Sequence, residues 1–219
     1  MGRPRGSKNA DFDAARDALI RAVRSRLLEP GGSGASFRDL AAAASVSVAT
    51  LRHYFGSREG VIEAVLAADH LRGTPYLLEV ATGPLGPLRP SLAWLLSRIA
   101  EGFRFGKLGE VHALGLAAGL GDRALGPAYV NEILEPTLKA VEARLARHLA
   151  NGELRSCDLR HAALALIAPA LLALLHQGEL GGASCRPLDM DAFLQDHLDG
   201  FLRAFEAPRD PGKDAEPQA

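Results

Sequence analysis

Ala49, Thr50 and His53 share one face of a short helical pattern whose opposite face carries Val48, Leu51 and Phe55. A methyl, a hydroxyl and an imidazole presented at that spacing can meet the base edges or the phosphates of a nucleic-acid duplex. Arg58 opens the next helical pattern, where side-chain charge and exposed amides together suit a phosphate. No comparable set points to catalysis. The seven histidines and two cysteines show no close metal-ligand spacing, and there is no G-x-S-x-G, phosphate-cradling glycine loop or Cys-x-x-Cys. The chain is therefore read as a non-enzyme that needs no cofactor or metal.

The elements that must hold these groups lie in residues 36–58, SFRDLAAAASVSVATLRHYFGSR. At 3.6 residues per turn, Phe37, Leu40, Ala41 and Ala44 fall on one side and Arg38 and Asp39 on the other. The pattern restarts at Ser47, after a break of about three residues. Two short helices so joined make a helix-turn-helix, whose second helix can enter a major groove. Ser36, Ser47 and Ser57 precede three successive patterns and can cap them, and Ser36 with Asp39 forms an [ST]-x-x-[DE] capping box.

The stretch SFRDLAAAASVSVATLRHYFGSREGVIEAV resembles the DNA-binding signature of TetR-family transcriptional repressors, in which an aromatic pair, a short turn and a basic residue follow the second helix. Tyr54, Phe55 and Arg58 match that ending. Two positions depart from it: Ser45 stands where glycine is usual, implying a slightly different turn, and Arg52 stands where an aromatic is frequent. The resemblance covers about residues 10–70. With the residue pattern, it implies a DNA-facing set of Ser36, Arg38, Ser47, Ala49, Thr50, Arg52, His53, Tyr54 and Arg58. The opening MGRPRGSK adds Arg3, Arg5 and Lys8 on a flexible arm over residues 1–10 that resembles part of an AT-hook and can lie in a minor groove.

Charge agrees with this placement. The net charge is -1, yet residues 1–60 hold ten Lys or Arg against six Asp or Glu, leaving fifteen against twenty in the rest. At 219 residues and 47% hydrophobic content the chain can bury a good core, and with few aromatics and little β-branched alternation that core is helical. Cys157 and Cys185 read as free thiols of a reducing cytoplasm. The longest apolar run, residues 162–175, is short for a bilayer of about 30 Å, so no membrane partner is expected.

A first helix over residues 11–28 carries Phe12, Ala15, Leu19, Val23 and Leu27 as an apolar stripe, with Asp17 and Arg21 placed to pair, and completes a three-helix domain over 11–57. A fourth helix follows over 58–72, stopped by Gly73 and Pro75; in the resembling family it connects reading and sensing domains. Further helices are expected over 91–105, 107–120, 127–150, 158–176 and 189–205, with Pro136 and Pro169 kinking two of them. Residues 206–219 read as a disordered tail. The expected fold is all-α: an N-terminal helix-turn-helix domain, then a helical ligand-binding and dimerisation bundle over 58–205.

The helix at 158–176 is apolar nearly all round and needs partners on two sides, which, with the terminal helix, fits a four-helix homodimer interface as the resemblance implies. Trp94, Phe103, Phe105, His112, Leu116, Tyr129 and His176 are candidate pocket residues for an unknown small-molecule inducer. The expected function is a repressor released from a palindromic double-stranded DNA operator. A helical enzyme or small-molecule carrier, and an architectural DNA-binding protein that senses nothing, are the alternatives.

Overall fold

In a computed structural model the described residues are 5–208, with side chains from residue 11 onward. The helices are α1 (Arg5–Leu27), α2 (Phe37–Ala43), α3 (Val48–Phe55), α4 (Arg58–Thr82), α5 (Leu88–Phe105), α6 (Leu108–Gly121), α7 (Gly126–Tyr129), α8 (Glu135–Ala150), α9 (Leu159–Gln177), α10 (Gly182–Cys185) and α11 (Met190–Phe205). Among the described residues there is no strand, only an isolated bridge between Leu154 and Glu206. The all-helical class follows the sequence expectation.

Caps fix the short helices. Ser36 Oγ accepts from the Asp39 amide at 3.2 Å while the Ser36 amide donates to Asp39 Oδ2 at 2.9 Å, so the capping box closes. Ser47 Oγ accepts from the Thr50 amide at 3.0 Å, and Ser57 Oγ accepts from the Gly60 amide at 3.2 Å. Ser45 takes φ 54 between α2 and α3. It thus adopts the left-handed conformation that glycine would favour, at a cost of about 1–2 kcal/mol for a side-chain-bearing residue.

Several boundaries differ from expectation. Helix α1 begins at Arg5, so the backbone of Arg5 and Lys8 is helical rather than a free arm; after Pro4 nothing in the sequence stops a helix. Arg3 lies outside the described residues, as do residues 209–219 of the expected tail. The tail's opening is paired: the Arg155 amide donates to Phe205 O and the Ala207 amide to Glu153 O. Helix α4 runs through Gly73 and Pro75 to Thr82. An interior proline costs about 3 kcal/mol or more, and here the far end is held: Arg144 Nη1 donates to Val80 O at 3.0 Å and Arg147 Nη1 to Gly83 O at 2.8 Å. Before Pro136 the chain widens into a π turn over Val130–Leu134, which accommodates the missing proline amide.

The chain forms two compact units, one of residues up to Pro75 with Gly102–Pro136, the other of Tyr76–Glu101 with residues from Thr137 on. This division differs from a boundary at residue 57. In the first unit, Val23 and Leu27 of α1, Leu40 of α2, Leu51 of α3 and Val61, Ile62 and Val65 of α4 share one core with Val111, Leu114 and Ala118 of α6. Helix α6 therefore covers apolar surface that α1 to α4 leave open. Arg24 of α1 adds an ion pair to Asp69 of α4 at 2.8 Å, whereas Asp17 and Arg21 both stay exposed. In the second unit α9 packs on α11. By length and composition alone α9 could cross a membrane, but Leu166, Ala170 and Leu174 are buried and the Leu166 carbonyl is bound by His197 of α11 at 2.8 Å.

Candidate nucleic-acid interface

Leu51 is fully buried on the inner face of α3, and truncating such a leucine costs about 2–5 kcal/mol, so its burial sets which side of the helix faces outward. Ala49, Thr50, Arg52 and His53 are the exposed side chains on that outer face. Thr50 Oγ1 lies 2.8 Å from Ser47 Oγ, which ties the hydroxyl to the cap. Arg52 is drawn sideways: its guanidinium lies over the Phe37 ring of α2 at 5.8 Å. Arg38 is exposed on α2, while Ser36 and Ser47 serve as caps.

Phe12 does not join the core as its place in the α1 stripe suggested. It is 39% exposed and stacks on Tyr54 with ring centroids 4.7 Å apart, while His53 meets it edge-on at 6.0 Å. Arg16, one turn further along α1, lies over Phe55 at 5.3 Å. The aromatic pair that ends α3 is thus braced from α1. The only sequence signal for this was an aromatic at the polar edge of an apolar stripe.

Arg58, expected at a phosphate, is hydrogen-bonded within the protein. Its Nε donates to Ala35 O at 2.8 Å and its Nη2 to Ser33 O, so the guanidinium clips the start of α4 to the loop before α2. It is half-buried, and these donors are spent on two backbone carbonyls.

The seven candidate ligand residues belong to different places. Phe103, His112 and Tyr129 meet in the first unit: Phe103 stacks on His112 at 5.6 Å, and Tyr129 Oη is hydrogen-bonded to His112 Nδ1 at 2.7 Å. Burial pulls the His112 imidazole down to about 4, keeping it neutral, and pushes the Tyr129 phenol up. A Cβ on Gly115 would collide with the Tyr129 ring, so the close approach of α6 to Tyr129 requires glycine there. Leu116 packs half-buried against the same core. Phe105 is 83% exposed at the end of α5 and lines no buried site. Trp94 and His176 belong to the second unit; Trp94 lies beneath the Arg144 guanidinium at 4.8 Å, and His176 Nδ1 is bonded by Gln177 Nε2 at 2.8 Å.

A buried polar chain in the second unit escaped sequence reading. His148 Nδ1 is 2.7 Å from Glu153 Oε2, and its Nε2 is 2.8 Å from Ser91 Oγ. The order acid, histidine, serine imitates a nucleophile relay. Yet Ser91 is 3% exposed and its oxygen also accepts from Arg144 Nε at 2.8 Å. That hydroxyl is enclosed and hydrogen-bonded, which makes the chain a structural clip. Among the described residues no group of three His, Cys, Asp or Glu could hold a metal.

Residues 19–65 match the family model described as bacterial regulatory proteins, tetR family. No curated protein matches the sequence. Solved structures show the same fold at low identity. A regulator from Mesorhizobium loti assigned to the TetR family is 18% identical over 90% of this chain and 98% of that one, with a TM-score of 0.74. FadR from Bacillus subtilis, in complex with stearoyl-CoA, is 18% identical over 84% and 96%, with a TM-score of 0.67. SmeT, repressor of the Stenotrophomonas maltophilia multidrug efflux pump SmeDEF, is 21% identical over 95% and 100%, with a TM-score of 0.65.

Proposed function

We infer from its membership of the TetR family of bacterial regulatory proteins that this DNA-binding transcriptional regulator is a cytoplasmic repressor, holding a two-fold symmetric operator as a homodimer and releasing it when a small molecule binds. The observation that carries the reading is the outer face of α3, where Ala49, Thr50 and His53 stand exposed on a helix fixed by the Ser47 cap, the Leu51 anchor and the Arg58 clip. His53 and Thr50 read base edges, Ala49 supplies a methyl, and Arg38, Arg52 and Tyr54 stand near the phosphates.

A homodimer is supported by the outward stripe of α9, where Leu164, Ala165, Ala168, Pro169 and Leu172 are all exposed, Leu172 by 65%. An apolar helix face of that kind is ordinarily covered. Two copies joined there would present two reading heads to half-sites one helical turn or a multiple apart. Small-molecule sensing is supported by the stearoyl-CoA complex of a protein with the same fold. Release requires the ligand to bind the DNA-free arrangement more tightly than the DNA-bound one.

Selection of bound duplexes from a random pool at fixed salt tests the reading. Enrichment of a palindrome, with a dimer in sedimentation, is the expected result; recovery of unrelated sequences at equal affinity would replace it with an architectural role.

A further inference from the structure

The second unit contains a buried donor with nothing to donate to. Tyr76 sits on the last turns of α4, and its Oη is buried without a hydrogen-bond partner among the described residues. Unmet buried hydroxyls are rare in folded proteins. Burial pushes this phenol up to about 12, so it keeps its proton at neutral pH and has an O–H to donate.

Its surroundings favour a negative charge. The Arg98 guanidinium lies over the Tyr76 ring at 5.8 Å, and Trp94, one turn earlier on α5, lies beneath Arg144 of α8 at 4.8 Å. Arg144 is 2% exposed, yet no carboxylate pairs with it among the described residues. Its donors go to Ser91 Oγ and to the carbonyls of Val80, Pro84 and Leu85. Val80 is one turn beyond Tyr76, so the Arg144 bond to its carbonyl brings that charge to the Tyr76 end of α4, and the two groups influence each other electrostatically. Glu79 and Glu101 also face Tyr76, the latter paired with Arg98, and Arg147 lies near Arg144. Around Tyr76 the two guanidiniums of Arg98 and Arg144 stand against the carboxylates of Glu79 and Glu101. A buried guanidinium bonded directly only to uncharged acceptors gains from an anion brought close to it.

We propose that Tyr76, Trp94, Arg98 and Arg144 form a recognition site for a small organic monoacid, whose carboxylate accepts the Tyr76 O–H within the field of the two guanidiniums while its apolar body lies against Trp94. A carboxylate, which only accepts hydrogen bonds, meets a phenol O–H that has no acceptor among the described residues and guanidiniums able to stabilise its charge. The proposal names the inducer class for the sensing function above, and depends on that function only for the effect on DNA.

Trp94 is the only tryptophan, so its emission reports on the site directly. Benzoate and octanoate, each beside its neutral amide, are titrated into the full-length protein at neutral pH. Saturable emission changes are expected from at least one acid, with its amide about tenfold weaker or more, the usual effect of losing a charge-assisted hydrogen bond. Tyr76→Phe should weaken that acid by about tenfold while leaving the melting temperature unchanged or higher, because it removes an unmet hydroxyl and no contact. Failure of both acids to alter emission, an amide binding as tightly as its acid, or wild-type affinity in Tyr76→Phe would overturn the proposal. Tyr76-dependent acid binding that leaves operator affinity unchanged would uphold the site and refute the inducer role.

Discussion

Replacing Arg58 separates a clip from a DNA contact. In the structure its guanidinium joins Ala35 O and Ser33 O across the loop that leads into the Ser36 cap. A hydrogen bond from a charged donor contributes about 1.5–3 kcal/mol, and for two such bonds on a half-buried side chain a net loss of about 2–4 kcal/mol follows for Arg58→Ala. At about 2–4 °C per kcal/mol for a chain of this size, the melting temperature should fall by about 5–15 °C. Arg58→Lys should restore little, since an ammonium lacks the planar fork that spans both carbonyls. Operator affinity measured against salt on the folded fraction should keep its slope, because no phosphate contact has been lost. A phosphate contact would instead make the slope shallower by about 0.9. A variant that melts like the wild type, shows that shallower slope and is rescued by lysine would refute the clip and return Arg58 to the DNA surface.

Three other outcomes follow from particular residues. His112 is held neutral down to about 4 against an unfolded value near 6.5, so the unfolded chain binds the extra proton between those values; stability should therefore be full above about pH 6.5 and fall by about 3 kcal/mol toward pH 4, a component that His112→Gln removes in pH-dependent urea melts. Ser45→Gly should raise the urea midpoint, gaining about 0.5–1 kcal/mol as relief of the left-handed cost exceeds the entropy lost by glycine, and a lower midpoint would show that φ 54 carries no strain. Leu172→Glu, placing charges on the exposed α9 stripe, should give a monomer in sedimentation at micromolar concentration with weakened operator binding, whereas an unchanged dimer would move the interface elsewhere.

The reading domain was largely legible because its signals are local. Ser36 with Asp39, Ser47 with Thr50 and Ser57 with Gly60 are each three residues apart, and all three caps form. The burial of Leu40 and Leu51 follows the helical period, which needs no knowledge of partners. Helix α4 was misread at Gly73 and Pro75 because propensity is also local, while the stabilising acceptors and donors are distant: Arg144 reaches Val80 across 64 residues. The sharing of one core by α6 and the first four helices was equally hidden. An apolar helix face announces that it will be covered, and its composition does not name the cover.

The same distinction decides which functional side chains could be read. Outward groups of α3 were found because exposure is the complement of a legible core pattern. The carbonyls that Arg58 bonds were not legible, because an arginine opening a helix has two kinds of acceptor available, a phosphate outside or carbonyls inside, and these carbonyls come from positions 23 and 25 residues earlier. Phe12 shows the converse: its period placed it in the core, but the stripe ends there and the ring covers Tyr54 instead. In the second unit the informative residues are those whose hydrogen-bonding needs are unevenly met. Ser91, His148 and Glu153 satisfy one another and lock their helices. Tyr76 has the same burial of its polar atom with no hydrogen-bond partner among the described residues, near an arginine hydrogen-bonded to uncharged acceptors. Satisfied networks hold a fold in place, and the unsatisfied donor is the position where an incoming ligand gains most by binding, which no periodicity in the sequence can mark.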